Sequence, residues 1–489
     1  MRRVLTRTVL QATAGLLITS AAWAQSVVPQ MPAVPPAPAG AGYVDEVPGA
    51  EFSAPPAAPA MGMPGMGMPG MGVPGMGMPG MGMPGVPLMP GLPSSSMLSG
   101  TLGNVPLIGP LFSNPSGVTN LIPDLGPFRV SGWLDYGFVV NTSGPRSGFN
   151  GPYNSVDYNS LMFNQGYFIL DAGLPEDGSW GLGARADILL GHDYLLAQSV
   201  GLELRPDGSS RWNSGEDFGI AIPQLYGVIG GEELQLKVGH FYTVVGYEGV
   251  PAVNNFFYSK AYSYQFAGPF THWGGIATWN ATGNLSFDVG LVNQWNTLDR
   301  STDHLNVLTR AKYTSDNQDW WTSFAIISGS EFTNVAGLPG IASNYANRTR
   351  YSGIYSQSLG EECQWEYVFH HWLGFQDQGA VDNGTAWWYG IDQYLFYTMS
   401  EQWKVGGRFE WFRDQDGTRV GLNRPSNPNK PPFAGNFYSL SGGVNYTPYP
   451  NFIIRPELRY DWFDGTANPY DDGQKEHQFL LGIDMITRF

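Results

Sequence analysis

The sequence predicts an all-β fold, a transmembrane antiparallel β-barrel of about sixteen strands behind a disordered Pro/Met/Gly-rich segment. The chain has 27 Phe, 25 Tyr and 16 Trp beside 65 Gly, whereas charged residues are only 13% of it. Soluble domains are nearer to about 25% charged. Stretches of about ten residues alternate apolar and polar side chains, and the connections between them alternate in length. A closed sheet with one face toward lipid has all of these properties.

The N-terminal residues are typical of a secretory signal peptide. Three arginines within the first seven residues precede an apolar stretch, and small residues at Ala22 and Ala24 predict cleavage between Ala24 and Gln25. The apolar stretch is too short to anchor the chain in a bilayer. We therefore predict a signal peptide over residues 1–24 and an exported mature protein.

Residues 25–126 differ in composition from everything that follows. Pro and Ala dominate first, and the pentapeptide MGMPG then recurs, once as MGVPG, from Met61 to Gly85. Recurrent Gly and Pro prevent helices and strands from propagating, which predicts a disordered periplasmic spacer. Binding of Cu(I) by the methionine thioethers is the alternative hypothesis for the repeats.

Residues 127–489 form the predicted barrel. Between 179 and 190, Trp180, Leu182 and Ile188 lie on one face of a strand, and Arg185 and Asp187 lie on the other. The predicted strands are 128–141, 164–173, 179–190, 219–229, 233–242, 271–281, 284–294, 305–314, 319–328, 350–359, 362–372, 386–398, 402–413, 436–448, 451–463 and 476–489. Pro456 removes a ladder donor from the fifteenth strand, so its local pairing is expected to be weakened.

The lengths of the connections predict the orientation of the barrel. Short turns at 230–232, 360–361 and 447–450 alternate with loops at 191–218, 243–270, 329–349 and 414–435. Because barrels have short periplasmic turns and long external loops, both chain ends are expected on the periplasmic side. The last strand alternates to the terminal Phe489, which resembles the C-terminal signal read by the barrel-assembly machinery.

No residue pattern predicts catalysis. The chain lacks the serine-hydrolase, zinc-protease and phosphate-binding motifs, and we expect neither an enzyme nor a cofactor. The adjacent His370 and His371 point to opposite faces of a strand, so we expect no metal site there. The net charge of −16 argues against nucleic acid as a partner. The single Cys363 excludes an intramolecular disulfide.

The alternation assigns nearly equal numbers of acidic and basic residues to the lumen. The acidic ones are Asp135, Asp171, Asp187, Asp288, Glu366, Asp392, Glu410, Glu457, Asp461 and Asp484. The basic ones are Arg185, Lys237, Arg310, Lys312, Arg350, Lys404, Arg408, Arg455, Arg459 and Arg488. The acidic excess is therefore expected in the loops, at residues such as Asp193, Glu203, Asp207, Asp471 and Asp472. This distribution predicts no strong cation selectivity.

One set of lumen residues is a candidate constriction. Lys404, Arg408, Arg455, Arg459 and Arg488 come from the last four strands and could form a basic wall. If the aromatic-rich loop 243–270 folds inward, Glu248 facing this basic wall would create a transverse field across the pore. Further pore-lining candidates are Arg310, Lys312, Glu410 and Glu457.

The same region resembles a known family. The segments Lys237–Thr243, Gly246–Glu248, Phe257–Ser259 and Pro269–Gly274 are similar to those of the OmpL-like β-barrel porins of bacterial outer membranes. The resemblance covers residues 128–489 and does not include the repeats. It implies a pore for small solutes without specifying which solute.

The function predicted from these observations is a porin-like outer-membrane channel for passive diffusion of small polar solutes or ions. The expected partners are outer-membrane lipid, the assembly machinery and the solutes, and many barrels of this size are trimers, so a homo-trimer is a further expectation. One alternative is a non-conducting outer-membrane barrel with an adhesion or enzymatic role. A second is a secreted carbohydrate-active enzyme, whose sites also favour acidic and aromatic residues.

Overall fold

The computed structural model describes residues 128–151, 160–213, 218–298, 304–332, 345–360, 363–380, 382–420, 433–465 and 467–489. The predicted signal peptide, its cleavage site at Ala24 and Gln25, and the spacer lie outside the described residues. Among the described residues, no helix is long and apolar enough to cross a membrane.

Sixteen strands follow one another along the described chain. They are β1 (Arg129–Asn141), β2 (Leu161–Ala172), β3 (Gly181–Gly191), β4 (Gly219–Gly230), β5 (Leu234–Tyr242), β6 (Thr271–Asn280), β7 (Leu285–Val292), β8 (Asn306–Thr314), β9 (Trp320–Phe332), β10 (Tyr345–Leu359), β11 (Trp365–Gln376), β12 (Ala386–Ser400), β13 (Trp403–Asp414), β14 (Gly435–Tyr449), β15 (Phe452–Gly465) and β16 (His477–Arg488). One α-helical turn, α1 (Tyr262–Phe266), and three 3₁₀ turns (His192–Leu196, Ala252–Asn254 and Asp471–Gly473) lie in the connections.

The strands form one closed antiparallel barrel in which each strand pairs with its neighbours in sequence and β1 pairs with β16. The closing ladder runs from Trp133 opposite Arg488 to Asn141 opposite Leu480. Closure leaves no strand edge unpaired, which a sheet in lipid requires because lipid cannot hydrogen-bond to the backbone. The predicted sixteen-stranded barrel is confirmed.

The two faces of the barrel separate as the alternation predicts. On β3, Leu182 is 77% exposed on the outer face, whereas Asp187 is fully buried on the inner face. Aromatic side chains surround the outer face near both ends of the strands, in stacked or tilted pairs such as Trp365–Tyr397, Trp403–Tyr446, Phe375–Trp387 and Tyr438–Trp462. An apolar band between two aromatic girdles is the surface of a membrane barrel.

Connection lengths also follow the prediction. Turns such as 401–402 and 450–451 join strands at one end, which we call the short-turn end, and loops such as 192–218 and 243–270 join them at the other, the long-loop end. The largest difference from the predicted strands concerns β9 and β10, which are longer than predicted. β9 ends at Phe332, and β10 begins at Tyr345. The Phe332 and Tyr345 rings pack against each other at 5.3 Å, and Glu331 pairs with Arg348 at 3.0 Å, so the hairpin continues beyond the last apolar stretch.

Pro456 interrupts one ladder and not the other. It pairs with Ile483 in β16, but the β14–β15 ladder has no pair between Gly443–Glu457 and Tyr446–Ile454. The missing N–H of proline accounts for the gap on the β14 side. The expected local weakening is therefore confirmed, and the strand continues through it.

Candidate functional site

Residues 243–270, which we call the inner loop, turn into the lumen after β5. Gly246 has a φ of 117°, a backbone conformation that favours glycine, where the chain leaves the wall. The loop then carries a 3₁₀ turn and α1, and Phe257, Tyr262 and Phe266 are each at most 2% exposed. A loop that buries large aromatic rings inside a barrel narrows the lumen.

Carboxylates of the barrel wall bind the inner loop. Glu410 of β13 accepts the backbone N–H of Tyr262 at 2.5 Å, and Glu457 of β15 accepts that of Ser259 at 2.8 Å. Asp392 of β12 accepts the Ser263 hydroxyl at 2.5 Å. These acceptors satisfy loop donors that have left water, which makes the inward fold of the loop possible.

Three arginines of the predicted basic wall bind the same loop. Arg408 donates to Ser259 O at 2.9 Å, Arg455 to Ala252 O at 2.8 Å, and Arg459 to Lys260 O at 3.1 Å. Each is at most 2% exposed. Their guanidinium groups are also paired with carboxylates at 2.8 to 2.9 Å, namely Glu248, Asp484 and Asp461 respectively. The three arginines therefore hold the loop against β13 and β15.

The five residues of the basic wall do not come together as one surface. Lys404, whose side chain is 36% exposed, pairs with Glu366 at 2.9 Å near the short-turn end. Arg488 lies at the same end of β16, opposite Trp133. The wall therefore divides into a buried part under the inner loop and a part near the short turns.

Glu248 does not face the basic wall across an open gap. Its carboxylate lies 2.8 Å from Arg408 and accepts the Tyr394 hydroxyl at 3.0 Å. The transverse field across the pore therefore stays a prediction, and in the structure the Glu248 carboxylate is paired directly with Arg408 of the basic wall. The reason is that the loop lies directly on β12 and β13.

A cavity in the lumen lies on the opposite side of the inner loop from the buried arginines. A cavity of about 920 Å³ extends from residues of the short turns, such as Glu232 and Gln318, to the inner loop at Glu248. Lys237, Arg310 and Lys312 line it. Of the ten pore-lining candidates, Glu248, Arg310 and Lys312 border this cavity.

Charges of both signs meet in this cavity. Arg310 Nε lies 2.6 Å from Asp288, which also accepts the Thr278 hydroxyl at 2.5 Å. The ammonium of Lys237 lies 4.6 Å from the centre of the Tyr226 ring, and that of Lys312 lies 5.2 Å from the Trp321 ring. Aromatic faces attract cations, so these rings hold the two lysines along the wall.

Buried aromatic side chains pack together inside the barrel toward the long-loop end. Arg419, from the loop after β13, lies 5.4 Å from the Trp295 ring and 4.9 Å from the Trp388 ring. It also donates to Phe266 O at 2.8 Å. Burial lowers the pKa of Arg419 to about 9. Arg419 thus joins the segment that follows β13 to the inner loop. We call the buried Trp295, Trp388 and Phe412, together with Arg419, the aromatic cluster.

Two of the acidic residues lie in a loop as expected but are buried there. Asp193 accepts the Gln165 amide at 2.6 Å, and Glu203 accepts the backbone N–H groups of Ser199 and Ile222. Asp193 is 7% exposed and Glu203 is fully buried, so they tie loop 192–218 to the barrel instead of forming an acidic surface. Asp207 and Asp472 are exposed as expected.

The two adjacent histidines point to opposite faces. His370 lies inside and bonds to Asp392 at 2.8 Å, whereas His371 lies outside and bonds to Tyr351 at 3.1 Å. Within the described ranges, no three metal-ligating side chains come together. At the end of β16, Phe489 exchanges two backbone hydrogen bonds of 2.9 Å with Gly132, so the predicted assembly signal also completes the β1–β16 contact.

Sequence reasoning missed the contacts made by Ser259 and Tyr262 of the inner loop and by Arg419 of the segment after β13. Ser259 bonds to Glu457, 198 residues further along the chain. No local pattern indicates such a pair. The one available signal was the concentration of aromatic residues in the inner loop, which predicts burial but not a partner.

Comparison with known proteins agrees with this architecture. A family model described as "Putative beta-barrel porin-2, OmpL-like" matches residues 127–489. No curated protein matches the chain.

Solved structures share the fold. OmpT, an outer membrane protein of Vibrio cholerae, superposes with a TM-score of 0.50 at 8% identity, over 76% of this chain and 100% of its own. The outer membrane channel DcaP of Acinetobacter baumannii superposes with a TM-score of 0.50 at 9% identity, over 74% and 97%. At these identities the likeness concerns the fold alone.

Proposed function

This chain belongs to the OmpL-like β-barrel porin family, and we propose that it forms a diffusion channel for small polar solutes or ions in the bacterial outer membrane. In this proposal the short-turn end faces the periplasm, and the N-terminal segment lies in the periplasm before β1. Assembly is expected to proceed through recognition of the strand that ends at Phe489.

The cavity beside the inner loop carries the proposal. It begins among the short turns and reaches the middle of the barrel, where the inner loop narrows the lumen. Its charged lining includes Lys237, Lys312 and the Arg310–Asp288 pair. A wet path lined by both signs favours small polar solutes and excludes neither sign strongly.

Conductance across planar lipid bilayers tests the proposal. We expect the wild-type protein to form discrete channels with weak ion selectivity. The double substitution Lys237→Glu/Lys312→Glu should raise the permeability for K⁺ relative to Cl⁻, because it reverses two charges on the wall of the path.

Arg146→Glu provides the matched control. Arg146 is exposed on the loop after β1 and does not line the cavity. This variant should leave the reversal potential nearly unchanged. The assignment of the path would be refuted if the double variant and the control shifted the reversal potential equally.

The aromatic cluster favours a second candidate, a barrel that does not conduct. Trp295, Trp388 and Phe412 are buried in the long-loop half of the barrel, and Arg419 packs on two of these rings. A lumen filled in this way would support adhesion or display in place of diffusion. Absence of channels from correctly folded wild-type protein, with heat-modifiable gel mobility, would favour this candidate.

A further inference from the structure

Polar side chains occupy the middle of the outer face on β10, β11 and β12. Tyr351, His371 and Gln393 each lie close to the middle of their strand and point outward. Tyr367 lies beside them on β11, two residues after Trp365, which belongs to the aromatic girdle on the same face. We call these four side chains the polar patch.

The outer face is apolar at the same height on strands far from the patch. Leu458 on β15 is 52% exposed, Ile483 on β16 is 41%, Val238 on β5 is 55%, and Val289 on β7 is 59%. These aliphatic side chains suit contact with lipid tails. The polar patch therefore sets one sector of the barrel apart from the rest.

Hydrogen bonds within the polar patch satisfy only part of its polar groups. Tyr351 Oη and His371 Nδ1 are 3.1 Å apart, and Tyr367 donates to Gln393 Oε1 at 2.9 Å. In the described part of the chain, His371 Nε2 and the Gln393 amide nitrogen make no hydrogen bond. When Tyr351 donates to His371 Nδ1, the proton of the neutral imidazole is on Nε2. His371 Nε2 and the Gln393 amide nitrogen are then both donors without an acceptor in the patch.

Lipid cannot satisfy these donors. The apolar band of a barrel is about 25 Å tall, so head groups and water lie roughly 12 Å from its middle. Moving an amide donor from water into hydrocarbon without a hydrogen-bond partner is strongly unfavourable. The partner at this depth must therefore be protein.

We propose that the polar patch is the contact surface between copies of this chain in a homo-oligomer. A two-fold axis beside the patch brings the patch of one copy against the same patch of the other. The tyrosine hydroxyls and Gln393 Oε1 of one copy are then acceptors for the imidazole and amide donors of another. The inference goes beyond the proposed channel and holds whether or not the barrel conducts.

Gly353 adds a shallow recess to the same surface. It pairs with His371 across β10 and β11, and its missing side chain would point outward. A Cβ placed there would meet only Phe324 Cδ2 at 3.8 Å and His371 O at 3.9 Å. A large residue at this position therefore fits the barrel itself but protrudes into a neighbouring copy.

Gly353→Trp tests the proposal, with Gly442→Trp as the matched control. Gly442 is an outward glycine of β14, and a Cβ there would meet nothing within 4 Å. The mass of the full-length protein, extracted from membranes in mild detergent, is measured by light scattering. We expect oligomers of the wild type and of Gly442→Trp, and folded monomers of Gly353→Trp.

Cysteine cross-linking covers the case in which a tryptophan variant does not fold. In a Cys363→Ser background, oxidation in the membrane should link copies carrying Gln393→Cys but not copies carrying Gly442→Cys. A monomeric wild type, an oligomeric Gly353→Trp protein, or cross-links at position 442 alone would overturn the proposal. Conductance of the same samples is recorded separately, so failure of the channel function would leave this result unaffected.

Discussion

Arg455→Met should detach part of the inner loop from the barrel wall. Arg455 Nε lies 2.9 Å from Asp484, and Arg455 Nη1 donates to Ala252 O at 2.8 Å and to Asn255 O at 2.5 Å. Both side chains of the ion pair are at most 3% exposed. The substitution therefore removes one buried ion pair and two loop contacts, and it leaves Asp484 as a buried charge close to Asp135.

The expected loss is large for a single substitution. Breaking a buried ion pair by removing one partner costs about 3–5 kcal/mol, mainly because the remaining charge is uncompensated. The double variant Arg455→Met/Asp484→Asn removes that charge as well. The double variant still loses the two charge-assisted hydrogen bonds from Arg455 to loop carbonyls, each of which stabilises the fold by about 1.5–3 kcal/mol. Part of this loss is offset, because neither side chain of the former ion pair has to be desolvated as a charge.

Two measurements report the effect. Urea unfolding in detergent micelles, followed by tryptophan fluorescence, should show a lower free energy of unfolding for the single variant and a partial recovery for the double variant. Hydrogen exchange should show faster labelling of peptides from residues 249–260. Arg413→Met is the control, because among the described residues the Arg413 side chain donates to Gln415 alone, at 3.3 Å on the exposed surface.

The reasoning would be refuted in two ways. The first is an unfolding midpoint of Arg455→Met equal to that of the wild type. The second is a double variant as unstable as the single variant, since the loss would then not come from the uncompensated carboxylate. Arg413→Met should stay within about 0.5 kcal/mol of the wild type.

Three further predictions concern closure, assembly and pH. Gly390→Val should prevent the β12–β13 ladder from forming, because a Cβ at this position would lie 1.9 Å from Trp411 O. The folded fraction of this variant on gels should fall, whereas the control Gly442→Val should fold normally. Deletion of Phe489 removes two backbone hydrogen bonds to Gly132 and the ring contact with Phe168 at 5.7 Å, so insertion into vesicles should slow, and Phe489→Tyr should restore it. Burial raises the pKa of Glu203 above its ordinary value of 4.5, so its protonated form favours the folded loop. That contribution is complete below 4.5 and is lost as the pH rises through the raised pKa. Hydrogen exchange of residues 199–205, corrected for intrinsic rates, should show protection decreasing with pH in the wild type but not in Glu203→Gln; equal pH dependence in both would contradict this assignment.

The inward and outward positions of strand residues were predictable from the sequence. Arg185, Asp187, Arg408 and Asp461 all lie inside as the period of two predicts, and Leu182 lies outside. The signal is local, because consecutive side chains of a strand point to opposite faces wherever the strand is placed. The limits of β9 and β10 were less predictable, because the Glu331–Arg348 pair that extends them joins two different strands.

The roles of the lumen charges were not predictable in the same way. The same alternation places Arg408 and Lys312 inside, yet the first is buried under the inner loop and the second borders the cavity. The difference depends on where the inner loop lies. That position follows from contacts such as Arg408 with Glu248, which are 160 residues apart in the chain.

The sequence by itself thus determined the all-β architecture, the number of strands, the face on which each strand residue lies and the ends at which short turns and long loops meet. Each of these follows from a period of two and from turn residues, which act over a few neighbouring positions. Only the tertiary structure decided that Glu248 pairs with the basic wall, that a cavity lies beside Lys237 and Lys312, and that Asp193 and Glu203 are buried. Those features depend on which distant groups satisfy one another once water is excluded, and no local pattern carries that information.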